Sequence, residues 1–362
     1  MYLTFGEIMM RVAPEGFLRF RQALPGKVGV TFAGAEANVA AALALLGEQA
    51  RYLTALPDTP IVQALLGNLR GLGVDTSCIL LREDGRLGIY FLETGANQRS
   101  SNVIYDRSGS AVSLAGPEEY DFGRALEGVH WVHTTGITPS LSENAYLSAL
   151  ALLREAKARG IAVSCDLNFR KKLWKWAPGT APRELAERCM GEMLPHVDLV
   201  IGNEEDAADV LGIRAEGTSV EEGRISPYAY EAVACRIAER FPNVSLVAVT
   251  LRESISATHN NWGGMLFDVA SDRGHFAPTD EHGGYAPYQI RSIVDRVGAG
   301  DSFAAGLICA LNSEEHAAPE AAVRFAVAAS CLKHSIHGDF NYVTRGEVER
   351  LAAGQASGRV RR

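Results

Sequence analysis

Long apolar runs are missing from this 362-residue chain. No stretch approaches the roughly 18 uncharged residues that a membrane helix needs. The first residues, Met1–Glu7, lack a basic segment followed by an apolar core, so we expect neither a membrane span nor a signal peptide. Lysine and arginine (35) are outnumbered by aspartate and glutamate (43), and the net charge of −8 argues against a surface built to bind nucleic acid.

Cysteine is scarce and scattered. The six cysteines, at positions 78, 165, 189, 235, 309 and 331, form no Cys-x-x-Cys pair, and the nine histidines show no zinc-type spacing. Most of the cysteines lie in apolar runs, which is typical of buried thiols in a reducing compartment. We therefore expect a cytoplasmic protein without a disulfide framework.

A glycine-rich turn after the first strand is also absent. The glycine motif that stands out, Gly298-Ala299-Gly300, lies near the C-terminal end, which excludes the dinucleotide-binding arrangement of a dehydrogenase. The chain does have 47% hydrophobic and 22% charged residues, the composition of a globular protein that can bury a large core.

Strands and helices alternate along most of the chain. Val129–Thr135 is predicted to be a strand, Ser142–Arg159 an amphipathic helix capped by Ser142, and Ile161–Asp166 the next strand. This alternation predicts an α/β fold with a mostly parallel sheet and helices on both faces. Residues 2–12 are expected to form the first strand.

Two segments break this rhythm. Residues 14–34 and 86–110 predict short strands and turns with no helix between them, which indicates a small separate sheet that acts as a lid. The remaining chain divides into an α/β core and a flexible tail. The core comprises residues 1–13, 35–85 and 111–353, and the tail comprises residues 354–362.

Polar clusters follow three predicted strands. They are Asp166–Arg170, Asn203–Asp206 and Gly298–Asp301, the last after an expected strand at 290–294. Ligands bind beyond the carboxyl ends of strands in such sheets, so the three clusters predict one shared site. Each cluster taken alone is equally explained by helix capping or a solvated first helical turn.

The run Gly298-Ala299-Gly300-Asp301 opens an apolar helix. Two glycines at a helix N-terminus let backbone N–H groups converge on an anion. A carboxylate at Asp301 would repel that anion unless it takes a proton from an attacking hydroxyl, so we interpret Asp301 as the general base of a phosphoryl transfer. The alternative is that Asp301 simply caps the helix.

The motif at 298–301, preceded by Asp295, resembles the second signature of the ribokinase-like (PfkB) carbohydrate kinases. Gly34-Ala35-Glu36-Ala37-Asn38 resembles their first signature. The resemblance covers nearly the whole chain and implies a ribokinase-like three-layer sandwich with a β-sheet lid. It also implies an ATP-dependent kinase that uses Mg²⁺ and a small-molecule sugar, with potassium as a further cofactor, and a homodimer or higher homo-oligomer formed through the lid.

Within this family the chain looks most like the 2-keto-3-deoxygluconate kinases. That likeness implies a sugar-acid pocket lined by Gly34, Asn38, Tyr90, Tyr105, Arg107 and Arg170, with Asp301 as the base. Two arginines suit a substrate carboxylate because a guanidinium binds it bidentately. Fructose and 5-keto-2-deoxygluconate are alternative substrates, and a non-catalytic sensor on the same fold is an alternative function.

The alternatives for the individual pocket residues are structural. Arg107 can be an exposed lid residue, Arg170 a partner in a salt bridge, and Tyr90 and Tyr105 packing residues of a β-sheet face.

The resemblance also implies a nucleotide site. Its candidate residues are Asn168, Asn203, Thr250, Arg252, Gly298, Gly300, His334 and Asn341. Asp206 stands where the family has a glutamate that organises Mg²⁺ and is a candidate ligand through water, whereas Asp295 is a candidate potassium ligand. The family's glycine turn after Thr250 is absent, and Arg252 there is either a phosphate ligand or surface charge.

Overall fold

Nine strands form the main sheet of the computed structural model, which describes residues 1–203, 205–214 and 229–355. Its spatial order is β14-β13-β12-β11-β10-β9-β1-β4, with β15 paired to β13. Neighbouring strands from β4 to β12 in this order run parallel to each other. Strand β13 runs antiparallel to each of its partners, β12, β14 and β15. The nine strands are β1 (Tyr2–Phe5), β4 (Ala50–Leu53), β9 (Trp131–Thr135), β10 (Ala162–Asp166), β11 (Leu199–Asn203), β12 (Leu246–Ser256), β13 (His259–Asp268), β14 (Arg273–Ala277) and β15 (Tyr288–Ile290).

A second sheet of four strands forms the expected lid. Its order is β3-β2-β7-β8, made by β2 (Met9–Ala13), β3 (Gly29–Ala33), β7 (Gly88–Glu93) and β8 (Asn102–Asp106). The prediction of one strand over 2–12 was wrong, because the chain leaves the main sheet after Phe5 and enters the lid sheet at Met9. Residues 9–13 therefore belong to the lid sheet, although we assigned 1–13 to the core. A third, two-stranded sheet contains β5 (Ala55–Pro57) and β6 (Leu80–Arg82).

Helices cover both faces of the main sheet. Alternation along the strands decides which helices each residue contacts: Val200 belongs to one apolar cluster, and its neighbours Leu199 and Ile201 belong to the other. This is the three-layer sandwich that was expected. The helices are α1 (Phe20–Ala23), α2 (Ala35–Leu45), α3 (Pro60–Gly71), α4 (Ala111–Leu114), α5 (Phe122–Ala125), α6 (Ile137–Leu141), α7 (Glu143–Ala158), α8 (Pro182–Met193), α9 (Asp206–Leu211), α10 (Ala229–Arg240), α11 (Ala299–Leu311), α12 (Pro319–Lys333) and α13 (Arg345–Ala352), with 3₁₀ turns at Pro117–Glu119 and Leu194–His196.

Small residues bring α11 and α12 close together. A Cβ atom on Gly306 would lie 3.0 Å from the Cβ of Ala329 and 3.1 Å from the Cα of Ala326, so glycine lets the two helices approach more closely than a larger residue would. The helix α2 is alanine-rich and buried from Glu36 to Leu43. Such packing fixes the N-terminal ends of α2 and α11, which both open at the carboxyl edge of the sheet.

Three smaller predictions need correction. The segment 14–34 does contain one helical turn, α1. The strand expected at 290–294 ends at Ile290, so a loop rather than a strand leads into Gly298. Glu204 and residues 356–362, most of the expected tail, lie outside the described residues. Within the described ranges, no helix combines the length and apolar character needed to cross a bilayer.

Candidate active site

One cavity between the carboxyl edge of the main sheet and the lid brings the three predicted clusters together. Its wall contains sixteen of the eighteen residues proposed from sequence: Gly34, Asn38, Tyr90, Tyr105, Arg107, Asn168, Arg170, Asn203, Asp206, Thr250, Arg252, Gly298, Ala299, Gly300, Asp301 and His334. Asp295 and Asn341 do not line it. Residues of all three clusters that follow the predicted strands therefore line one cavity.

Gly298 opens helix α11 in a left-handed conformation, with φ of 84°. A Cβ atom there would lie 2.3 Å from the carbonyl oxygen of Asp339, so no other residue fits without displacing that loop. The first N–H groups of α11, at Ala299 and Gly300, have no acceptor within the helix. Together with the helix dipole they make a positive wall for an anion.

Asp301 does not cap this helix. Gly298 is the N-cap residue, and Asp301 lies in the first turn with its carboxylate turned to Asn38, whose Nδ2 donates to Asp301 Oδ2 at 2.6 Å. Burial raises the pKa of Asp301 to about 6, while the Asn38 hydrogen bond opposes that rise. A carboxylate with this pKa is ionised near neutral pH and still accepts a proton readily.

Arg107 is not an exposed lid residue. Its side chain is buried, its guanidinium forms an ion pair with the buried Glu7, and it lies over the Tyr105 ring, 5.4 Å from the centroid. Glu7 also lines the cavity, so a carboxylate and a guanidinium are presented there together.

Arg170 is exposed and extends into the same cavity. Among the described residues it forms no side-chain ion pair, and Nη1 donates only to the carbonyl of Phe169 at 3.1 Å. Burial raises the pKa of three nearby carboxyl groups, those of Asp166, Asp206 and Asp301, and the charge of Arg170 opposes that rise. The structural salt bridge that was the alternative for Arg170 is therefore not what the described contacts show.

The two lid tyrosines differ. Tyr90 is buried and donates its hydroxyl proton to the carboxylate of Asp339, with O–O distances of 2.7 and 2.8 Å. Tyr105 is 40% exposed, and its ring centroid lies 6.1 Å from that of Tyr90. Tyr90 thus combines cavity lining with sheet packing, whereas Tyr105 presents its face to the cavity.

Two buried carboxyl groups, Asp166 and Asp206, lie near each other at the sheet edge. Asp206 Oδ1 accepts from Phe169 N at 3.0 Å and Oδ2 from Asn203 N at 2.9 Å, so this side chain joins two loops. Burial raises the pKa of both groups, and the neighbouring Asp206 raises that of Asp166 further. Buried, mutually repelling carboxylates facing a cavity fit a divalent cation held through water.

Three of the predicted nucleotide residues, Thr250, Arg252 and His334, also line this cavity. Thr250 and Arg252 lie on β12. His334 is buried, its ring packs against Trp262 at 4.9 Å between centroids, and burial lowers its pKa to about 4, so it is neutral. Arg296 was not predicted: it lines the cavity, and burial and nearby Arg252 both lower its pKa. Two guanidinium groups side by side favour an anionic ligand.

Asp295 and Asn341 lie behind the cavity wall. Asn341 is buried and donates to the carbonyl of Ala329 at 3.1 Å, so the structure gives it a structural contact rather than a place in the cavity. Asp295 Oδ2 contacts Arg11 Nη2 at 2.6 Å. These contacts do not support the nucleotide and potassium interpretations of the two residues.

Three charged cavity residues were missed from the sequence. Glu7 lies just after the first strand and Arg296 lies inside the second signature, so position alone could have drawn attention to both. Asp339 carried no such signal, because it reaches the cavity through a loop after α12.

Known proteins resemble this chain over most of its length. The family model described as "pfkB family carbohydrate kinase" matches residues 2–224 and 271–341. A 2-dehydro-3-deoxygalactonokinase of Haloferax volcanii is 31% identical over 98% of each chain.

Two crystal structures extend the comparison. The 2-dehydro-3-deoxygluconokinase of Thermotoga maritima is 43% identical with a TM-score of 0.86, over 98% of this chain and 99% of that one. A PfkB family carbohydrate kinase of Listeria grayi is 32% identical with a TM-score of 0.83, over 97% and 99%. This chain belongs to the pfkB family of carbohydrate kinases.

Proposed function

We propose that this carbohydrate kinase transfers the γ-phosphoryl group of ATP to the terminal hydroxyl of 2-keto-3-deoxygluconate (2-dehydro-3-deoxygluconate), giving the 6-phosphate and ADP. The observation that carries the proposal is the presence in one cavity of Asp301, poised at the start of α11, with Arg107 and Arg170. The names of the Thermotoga maritima and Haloferax volcanii relatives favour the same class of substrate.

Asp301 is the proposed base. Its carboxylate accepts the proton of the terminal hydroxyl as the hydroxyl oxygen attacks the γ-phosphorus, and the bond from that phosphorus to the bridging oxygen of ADP breaks. Base catalysis of this kind typically contributes roughly 10²–10⁴-fold. The pKa of Asp301, raised by burial to about 6, leaves the base ionised at neutral pH.

The N–H groups at the start of α11 form the proposed anion hole. They point where negative charge accumulates on the transferred group, and the rigid turn at Gly298 holds them in place. Arg252 and Arg296, which line the same cavity, are the proposed contacts for the nucleotide phosphates. Asp166 and Asp206 would hold Mg²⁺, which neutralises phosphate charge when bound with the nucleotide.

Arg107 and Arg170 select the acid. A substrate carboxylate accepts charge-assisted hydrogen bonds from these guanidinium groups, which a neutral hexose cannot replace. The lid strands β7 and β8 carry Tyr90 and Tyr105 over the sugar, so the lid shields the transferred phosphoryl group from water.

The deciding experiment is ADP release with a panel of substrates. The panel contains 2-keto-3-deoxygluconate, its C4 epimer 2-keto-3-deoxygalactonate, 5-keto-2-deoxygluconate and fructose. We expect the highest kcat/KM with one of the first two acids. A kcat/KM for fructose equal to theirs would contradict the proposed specificity.

Asp301→Asn separates catalysis from binding. We expect turnover to fall by roughly 10²–10⁴-fold while the affinities for ATP and the sugar acid stay nearly unchanged. The matched control is Asp84→Asn, at an exposed residue of a surface turn. Substantial turnover by Asp301→Asn would remove Asp301 from the mechanism.

The lid also suggests how copies of the chain associate, and we extend the proposal to a homodimer. Val30 and Ile104 are 53% and 54% exposed, and strand pairing through Val12 and Phe91 places them on one face of the lid sheet. Ile104→Asp is expected to lower the mass measured by light scattering. A monomeric wild type would contradict this part of the proposal.

A cytoplasmic location completes the proposal. It is supported by the six cysteines, which are all free, as expected in a reducing compartment.

A further inference from the structure

Arg11 is a buried arginine on lid strand β2, with only 1% of its surface exposed. It pairs in register with Tyr90, which pairs in turn with Tyr105, so the three side chains lie on one face of the lid sheet. The tyrosines line the cavity. The guanidinium of Arg11 instead contacts two carboxylates of the core.

These contacts are short and enclosed. Arg11 Nη2 lies 2.6 Å from Asp295 Oδ2, and Nη1 lies 2.6 Å from Asp339 Oδ1. Both aspartate side chains are 3% exposed. One guanidinium from the lid therefore joins two separate loops of the core.

Both loops support the anion hole. Asp295 Oδ1 accepts from Val297 N at 3.1 Å, and its Oδ2 accepts from Gly338 N at 3.2 Å. The carbonyl of Asp339 packs directly against Gly298, since a Cβ atom on that glycine would lie 2.3 Å from the carbonyl oxygen. Moving either carboxylate would move the turn from which the N–H groups of Ala299 and Gly300 extend.

Arg11 places a positive charge beside both carboxylates. Burial raises the pKa of Asp339, and Arg11 opposes that rise. Lys333 is also buried, but its Nζ donates to the carbonyl of Ile336 at 3.0 Å. Removing one partner of a buried ion pair leaves an uncompensated charge, which is strongly unfavourable.

The same contacts bear on the potassium ion that the family resemblance implies. An alkali cation is held by several oxygen ligands. The carboxylate of Asp295 already receives three N–H groups, from Arg11, Val297 and Gly338, and one of them carries a positive charge. These residues do not fit a monovalent cation bound at this carboxylate.

We propose that Arg11 is a positioning residue of the anion hole. Its guanidinium is a cation that belongs to the lid and fixes the loops at Asp295 and Asp339. Turnover therefore does not depend on which alkali cation is present. The inference rests on the proposed kinase function. It assigns Arg11 no contact with the substrate: the residue acts through Asp295, Asp339 and Gly298.

The first test uses the wild-type enzyme. ADP release is measured in KCl, NaCl and choline chloride at equal ionic strength, and kcat is expected to agree within about twofold. A stimulation by K⁺ over choline of about tenfold or more would overturn the inference, because that is the activation that Arg11 is proposed to make unnecessary. If no sugar gives ADP in any salt, the proposed function itself fails. In that case the affinity for ATP is measured in the same three salts. This affinity is expected to be equal in KCl, NaCl and choline chloride.

The second test removes the guanidinium. Arg11→Ala is expected to lower kcat on the order of 10²-fold, comparable to the loss of one anion-hole donor, with KM for the sugar acid changed by less than about threefold. Guanidinium chloride is expected to restore at least about tenfold more activity than equal NaCl, because the free ion replaces the missing group. The matched control is Arg19→Ala, whose ion pair with Glu93 is on the lid surface.

Circular dichroism and thermal melting decide whether Arg11→Ala is folded. A folded variant with wild-type kcat, or one that guanidinium rescues no better than NaCl, would overturn the inference. If Arg11→Ala does not fold, Arg11→Lys takes its place, and a partial loss of kcat is expected because an ammonium cannot hold both carboxylates as the planar fork does. Full activity of Arg11→Lys in all three salts would contradict the need for that fork.

Discussion

The hydrogen bond between Asn38 and Asp301 controls the ionisation of the proposed base, and its removal has a predictable sign. Asn38 Nδ2 donates to Asp301 Oδ2 at 2.6 Å, which favours the ionised carboxylate. Burial acts in the opposite direction and raises the pKa to about 6. Asn38→Leu keeps the number and branching of the side-chain heavy atoms and removes the donor, so the pKa of Asp301 is expected to rise further.

The size of this change follows from the charge on the acceptor. A hydrogen bond to a charged group is worth about 1.5–3 kcal/mol, and one pKa unit corresponds to about 1.4 kcal/mol, so the expected rise is about one to two units. Only the ionised carboxylate accepts the proton, and activity is therefore lost as the pH falls through the pKa. At pH 7 the ionised fraction should fall from about nine-tenths to between a tenth and a half.

The assay is the pH dependence of kcat and kcat/KM for ADP release between about pH 5 and pH 9. The acid limb of the wild type is expected near 6 and that of Asn38→Leu roughly one to two units higher. Asn144→Leu is the matched control, because its amide donates to the carbonyl of Leu114 at the surface and its limb should not move. If Asn38→Leu lowers kcat at every pH and the limb stays at the wild-type position, Asn38 only shapes the site and the reasoning is refuted.

Two further predictions concern the sugar acid and the metal. Arg107→Gln and Arg170→Gln, made separately, are each expected to raise KM for the sugar acid by roughly tenfold or more in steady-state kinetics, because each removes a charge-assisted hydrogen bond. KM for fructose is expected to change hardly at all. Equal effects on both substrates would contradict carboxylate recognition. Asp206→Asn is expected to raise the Mg²⁺ concentration that gives half-maximal activity by several-fold. The control is Glu205→Gln, at an exposed neighbouring residue. An unchanged Mg²⁺ titration would remove Asp206 from the metal site.

Much of the fold could be predicted because its signals are local. Alternating strands and helices predict a parallel sheet covered on both faces, and Ser142 does cap α7, accepting from Ala145 N at 3.0 Å. The lid was predicted for the same reason, since 86–110 contains strands without helices. Its boundary was missed at Gly6–Ile8, where the chain passes from one sheet to the other inside what looks like one apolar run.

The site was predictable where residues follow strands directly and less so where loops return to it. Asp166 and Asn203 end two neighbouring parallel strands, and Thr250 pairs with Asn203 in the next strand, so topology alone brings the three together. Asp339 and Arg11 reach the site through tertiary contacts between segments 328 residues apart, which no local pattern encodes. Asn341 shows the converse: it is only two residues beyond Asp339, yet it points into the core.

The distribution of charge across the cavity links these observations to the reaction. Arg107 follows lid strand β8, Arg252 lies on β12 and Arg296 lies in the loop before α11, and the carboxylates of Asp166, Asp206 and Asp301 line the same cavity. A sugar acid matches this arrangement because its carboxylate suits Arg107 and its reacting hydroxyl suits Asp301. A nucleoside triphosphate matches it because its phosphates suit the guanidinium groups of Arg252 and Arg296. A neutral hexose would leave the lid guanidinium balanced only by Glu7. The arrangement therefore favours an acidic acceptor on electrostatic grounds that are independent of the names of its relatives.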